Sequence, residues 1–336
     1  MSQSTESFDF PPSQPKTDPA LVDLPPVEAP SAGFIVQLFV IPAIVVFVVI
    51  LVWLLFGKLA GGERDAMSYV EMLRSPNANW RAAHELASLI QNDPKLSNDP
   101  RLLGELTDLL SHDLDREDNP ELTKFVALSL GAFQTLDAEL SGGRKVDPLA
   151  ALARALEPKQ PLPVRIAAAM SLAKQAARSE GKLEDPGAVK ALGTAAHDGE
   201  PALRQVAIYA LGFCGGEGAA ELLRDRLNDE DRDVRYNAAC ALGRRGDLAA
   251  AAILRELLSS KALNQVVTSP TETEKRSKIE FLELEALQSL QSSVSHGKTE
   301  LAVTLRPEVM ELSQSGLVSV RNSALGILRS VPERTR

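Results

Sequence analysis

One phrase recurs along this chain and limits what it can fold into. Its fullest copy is residues 227–243, LNDEDRDVRYNAACALG, where acidic turn residues lead into a short helix. Val234, Ala238, Ala241 and Leu242 recur there at i, i+4, i+7 and i+8, a spacing that lays one apolar stripe along a helix. The stripe is mostly alanine, so a neighbouring helix can come close. A single helix of this kind buries too little apolar area to stand alone, and stacking the copies is what builds a core.

The phrase reads apolar, basic, x, x, small, x, x, small, Leu. Clear copies are Val164-Arg165 with Ala168 and Ser171-Leu172, Leu203-Arg204 with Ala207 and Ala210-Leu211, and Val234-Arg235 with Ala238 and Ala241-Leu242. Looser copies start at Leu122, Leu282 and Val320, and Trp80-Arg81 with His84 and Ala87 opens the series. The starts lie 31 to 48 residues apart. Before each copy comes another amphipathic stretch: residues 67–73, 101–110, 148–156, 186–196, 218–227, 248–258 and 301–312. Acidic turns, such as His112-Asp113, His197-Asp198 and residues 228–233, fall between helices, where Asp and Asn cap exposed N–H groups. Gly131, Gly212 and Gly243 stand where left-handed C-caps would fall. Helix, turn, helix at this period is an all-α solenoid. An aromatic content of only 4% agrees, because a β-sandwich would draw on aromatic and β-branched residues.

The stretches at residues 229–243 and 203–212 (LRQVAIYALG) resemble HEAT repeats, especially the short PBS-lyase-type HEAT-like repeats. The resemblance runs roughly from 65 to 329 and is strongest over 164–258. It implies an α-solenoid of about seven HEAT-like helical hairpins over residues 65–332. It also implies first helices on a convex face, second helices on a concave face, and protein partners bound on the concave side.

Ahead of the repeats, residues 1–32 hold seven of the 21 prolines, five acids and one base, Lys16, and are expected to form a disordered arm. Residues 34–56 carry no charge and would be ~35 Å long as a helix, enough for a ~30 Å hydrocarbon core. The expectation is therefore a transmembrane helix over 33–56 and a flexible joint over 57–64. Lys58, Arg64 and Arg74 outnumber Lys16, which orients the solenoid to the cytoplasm and the arm outside. Residues 262–278 read as a polar loop, and 137–147 and 174–186 as shorter linkers.

A net charge of −9 argues against a nucleic-acid partner. Cys214 and Cys240 fall within expected helices and read as buried free thiols. The four histidines, His84, His112, His197 and His296, sit in different repeats. Deoxyhypusine hydroxylase, a HEAT-repeat enzyme, holds a di-iron centre with His-Glu pairs from several repeats. Here His84-Glu85 is the only such pair, and Ala168-Ala169, Ala207-Ile208 and Ala238-Ala239 occupy the equivalent positions. Residues 212–218 (GFCGGEG) lack the Lys-Ser/Thr of a phosphate loop. No catalytic, cofactor or metal residues are assigned.

The periodic polar feature is a row of arginines: Arg81, Arg165, Arg204, Arg235 and Arg321. They read either as donors to an acidic partner or as a ladder, each pairing with an inter-helix Asp; the ladder is the expected reading. The function expected is a non-catalytic, membrane-tethered scaffold for protein–protein interaction. The alternatives are a bilin-lyase-type or other HEAT-associated enzyme or chaperone activity, and an envelope-spanning linker.

Overall fold

A computed structural model describes residues 44, 46–52, 66–75, 78–116, 118–179 and 183–331. The chain divides into two units, Met1–Glu63 and Arg64–Arg336. In the first unit the described residues are Ile44 and 46–52, which are helical with exposed side chains. The expectation of a transmembrane helix over 33–56 is corrected here: no helix among the described residues is long and apolar enough to cross a membrane. The consecutive helical residues 46–52 rise only ~10 Å, about a third of a hydrocarbon core. The single-pass localisation, with a cytoplasmic solenoid and an outside arm, loses its support with it. The rest of that stretch, the arm at 1–32 and the joint at 57–64 lie outside the described residues.

The second unit is an all-α solenoid of paired helices. The first helices are α1 (Ala66–Leu73), α3 (Pro100–Arg116), α5 (Pro148–Ala155), α7 (Pro186–Ala195), α9 (Gly216–Asp225), α11 (Ala251–Leu257) and, after the short α14 (Glu300–Thr304), α15 (Arg306–Leu312). The second helices are α2 (Trp80–Asn92), α4 (Pro120–Leu130), α6 (Leu162–Arg178), α8 (Pro201–Leu211), α10 (Arg232–Arg244), α13 (Glu272–Ser295) and α16 (Val318–Ser330). Each second helix packs against the second helices before and after it, forming one continuous layer. The first helices α1, α3, α5, α7 and α9 make a parallel layer behind it.

Caps set the boundaries. Asn79, Asn119, Asp147, Asp185 and Asp231 accept hydrogen bonds from the first N–H groups of α2, α4, α5, α7 and α10. Proline occupies the first turn of α4 to α8, where its missing N–H costs nothing. Each helix then buries one stripe, as α2 buries Ala82, Ala83, Leu86 and Ile90. A fully buried Leu or Ile contributes about 1.5–3 kcal/mol.

Residues 262–278, expected as a polar loop, are mostly helical. They fall on α12 (Ser260–Val266), the connection after it and the first turns of the 24-residue α13. The Thr271 hydroxyl accepts from Glu274 N–H at 3.2 Å, and Glu272 and Glu274 complement the helix dipole. Polarity hid a helix start. The 137–147 linker is a small hairpin, with Glu139 bridged to Lys145 and Gly142 and Gly143 at positive φ. Cys214 lies beyond α8, beside Leu183, rather than inside a helix.

The recurrent glycines serve a different purpose from the one expected. Gly131 and Gly212 have right-handed φ of −71° and −60°, and Gly243 lies within α10. What requires glycine is the approach of the next second helix. A Cβ on Gly131 would lie 2.7 Å from Ser171 Oγ on α6, on Gly212 2.9 Å from Ala241 Cβ on α10, and on Gly243 2.6 Å from Ser289 Oγ on α13. Gly243→Ala is therefore expected to destabilise the solenoid by about 1–3 kcal/mol in urea unfolding. Gly199→Ala, where an added Cβ meets nothing, should stay within ~0.5 kcal/mol of the parent.

Candidate binding surface

The phrase's arginines go to different places. Arg204 is buried at 4% exposure and bonds Asp229 at 3.0 Å, with Glu230 at 3.3 Å. It also donates to the carbonyls of Asp198 (3.0 Å) and Gly199 (3.1 Å) in its own turn. Arg165, also buried, bonds Asp198 of the next hairpin at 2.5 Å. Burial works to raise the Asp198 carboxyl, but the Glu200 N–H and Arg165 hold it below the usual carboxylate range. Arg235 donates to the Asp229 and Glu230 carbonyls at 2.7 and 3.0 Å, and Arg321 to the Ser315 carbonyl at 2.8 Å. Arg81 is exposed, with its guanidinium 5.2 Å from the Trp80 ring centroid.

Polar side chains also close helix ends across repeats. Gln175 and Arg178 of α6 donate to the carbonyls of Leu130, Gly131 and Phe133 at the end of α4. Arg245 does the same for Cys214 and Gly216 beyond α8. Of these acceptors, Leu130 lies in the last turn of α4, whose carbonyls have no partner within the helix.

Of the remaining positions of the phrase, some are buried, as Ala169, Ile208 and Ala239 are, while Met170 and Tyr209 are exposed on the second-helix layer, where several of the sparse aromatics gather. Trp80 stacks on Phe125 at 5.0 Å between centroids, and His84 meets the same ring edge-on at 5.7 Å. Tyr209 meets Phe213 edge-on at 5.0 Å, with the Arg244 guanidinium 4.8 Å from the Phe213 centroid. Between α6, α8 and α10 lies an open hollow of about 460 Å³, lined by Met170, Lys174, Gln205, Val206, Tyr209 and Asn237, among others. A second, of about 510 Å³ between α10 and α13, is lined by Arg232, Asp233, Tyr236, Asn237, Lys278 and Phe281, among others. Asn237 borders both, and its amide has no hydrogen-bond partner among the described residues. Met170 (42%), Tyr209 (49%) and Phe281 (62%) leave large apolar area in water.

None of these groove residues belongs to the arginine row, and the sequence reading missed them. Met170, Gln205, Val206, Tyr209 and Asn237 occupy the unspecified positions of the phrase. Large side chains at those positions, beside small ones on the packing stripe, were the available signal.

The other titratable groups do not converge. Among the described residues no cluster of His, Cys, Asp and Glu could hold a metal ion. His197 bridges the Gly193 carbonyl (2.8 Å) and Asp225 (2.9 Å); Glu85, beside His84, accepts from Tyr69 at 3.3 Å. Burial pushes the Cys214 and Cys240 thiols up to about 11 and about 12, and both are free. Buried Glu283 accepts from Ser260 Oγ at 2.5 Å, and burial raises its carboxyl. Burial also pushes the Asp113 carboxyl up to about 6, and its Oδ2 has no partner among the described residues.

Two outcomes follow from these groups. Folded Asp113 holds its proton more tightly than the unfolded chain does, so its contribution is full below the ordinary value of 3.8 and is lost as pH rises through about 6. Asp113→Asn should therefore raise the melting temperature near pH 8 and change it little near pH 4. Arg204→Ala should lower the unfolding free energy by about 1–3 kcal/mol in urea, because it leaves the buried Asp229 carboxylate with Arg226, at 3.3 Å, as its ion-pair partner.

Among solved structures the chain is similar to the complex of CpcE and CpcF of phycocyanin lyase from Nostoc sp. PCC7120, at 17% identity over 80% of this chain and 94% of that chain, TM-score 0.43. It is also similar to a designed armadillo repeat protein in complex with peptide (KR)4, at 16% identity over 80% of this chain and 100% of that chain, TM-score 0.39. A third is human deoxyhypusine hydroxylase in complex with glycerol, at 15% identity over 82% of this chain and 98% of that chain, TM-score 0.30. No curated protein matches the chain. The family model for HEAT repeats matches residues 151–236 and 189–269, so HEAT repeats are recognised over α5 to α12, which carry the first hollow and the α10 side of the second.

Proposed function

We propose that this chain is a non-catalytic scaffold that binds a protein segment on the exposed face of its second helices, the concave side of the solenoid. The observation that carries the reading is the pair of hollows that share Asn237 and expose Met170, Tyr209 and Phe281, in a chain only 4% aromatic. Large exposed apolar patches rimmed by polar residues mark protein interaction sites. Two hollows flank Asn237, so a partner side chain has places to be buried on either side of it. The HEAT repeats over residues 151–269 support the same reading, because stacked repeats present an extended surface.

Site-specific photocrosslinking in the native host tests this. A benzophenone residue replacing Tyr209 or Phe281 should give discrete protein adducts, whereas the same residue at Lys190, exposed on α7, should not. Equal adducts from both faces, or turnover of a small molecule that needs the groove residues, would overturn the proposal.

A further inference from the structure

We infer that the segment taken by this groove is acidic, with apolar side chains interspersed; this rests on the scaffold reading above. The argument is one of unpaired charge. Elsewhere in the solenoid Arg74, Arg154, Arg165, Arg204, Arg224, Arg226 and Arg255 each bond a carboxylate, while others, such as Arg235 and Arg321, bond backbone carbonyls. The linings of the two hollows carry net positive charge. Lys174, Arg232 and Lys278 line them, against a single lining carboxylate, Asp233. Lys174 and Lys278 are exposed and have no ion-pair partner among the described residues. Arg232 donates to the Val266 carbonyl at 2.5 Å, which leaves its charge uncompensated. Glu280, the nearest acid in sequence to Lys278 and Phe281, is engaged by Ser319 of α16 at 2.5 Å.

Beyond Tyr209 the positive surface continues through Arg244, which lies over Phe213 without a carboxylate partner among the described residues. Residues 1–32, with five acids and one base, account for four of the nine net negative charges, so the chain's overall acidity overstates that of the solenoid. A basic segment laid over Met170, Tyr209 and Phe281 would meet like charge at both hollows. An acidic one would complete the pairs while its apolar side chains covered the exposed rings. Complementarity of this kind sets partner choice and encounter rate more than raw affinity.

The full chain is titrated, by fluorescence anisotropy, with three dye-labelled probes. These are a short peptide alternating Asp/Glu with Leu/Phe, the same peptide with Lys/Arg for the acids, and a single-stranded oligonucleotide. The acidic peptide should bind best, and more weakly as salt rises from about 0.05 to 0.5 M. Lys174→Glu with Lys278→Glu should weaken it roughly tenfold at unchanged melting temperature, since both side chains are exposed. Three results would overturn the inference: equal or better binding of the basic peptide, binding of the acidic peptide that the double reversal does not change, or stronger binding of the oligonucleotide through the same lysines. A basic peptide whose binding is lost in Tyr209→Ala would overturn the acidic occupant alone and leave the scaffold standing. Failure of both peptides to bind would overturn the two together.

Discussion

Everything in this solenoid depends on how closely one second helix can approach the next. Alanine, serine and glycine line that contact: Ala168 and Ser171 on α6, Ala207 and Ala210 on α8, and Ala238, Ala241 and Gly243 on α10 are buried together. A short amphipathic helix gains little from burying a few methyl groups alone. A layer in which both sides of every helix are covered gains that contribution twice over, and dispersion contacts grow with each small atom that meets another. The glycines mark where even a methyl group would not fit.

Close backbones create a polar problem, because helix ends with unpaired carbonyls and acidic turns are brought into the interior. The solution is distributed across repeats. Arg165 and Arg204 reach a carboxylate in the following turn, Gln175 and Arg178 close the carbonyl end of the preceding second helix, and Arg245 bonds the connection between α8 and α9. The series changes at α10. The turn after α11 enters α12 and carries no aspartate where the earlier inter-helix turns have one, and Arg235 bonds only the carbonyls of its own turn. The same interruption sets α13 at an extra length and opens the hollow between it and α10. A departure from the repeat thus shapes part of the surface offered to a partner.

The period of the phrase divides the labour. Its specified positions make the core; of its unspecified ones, Ala169, Ile208 and Ala239 join that core, while Met170 and Tyr209 are exposed and Asn237 is half-buried beside both hollows. Repeat architectures suit recognition for this reason: stability depends on one set of positions and specificity on another.

Local chemistry was enough to determine the helical pairs, their order and the Asp231 cap, whereas His112-Asp113, expected in a turn, lies inside α3. Spacing of 3.6 residues, prolines at first turns and Asp or Asn before them act within a few residues of chain, so they can be read in one dimension. The α12–α13 region escaped because a polar helix start resembles a loop when only composition is weighed. The span expected over residues 34–56 rested on hydropathy alone, and among the described residues no helix of the needed length accompanies it. Tertiary structure alone decided the role of Gly131, Gly212 and Gly243 and the partners of each arginine. It also brought Lys174, Asn237 and Lys278 together from three separate helices. These depend on which residues from distant repeats meet across a helix interface, and the register of that meeting is set by packing, not by any local run of sequence.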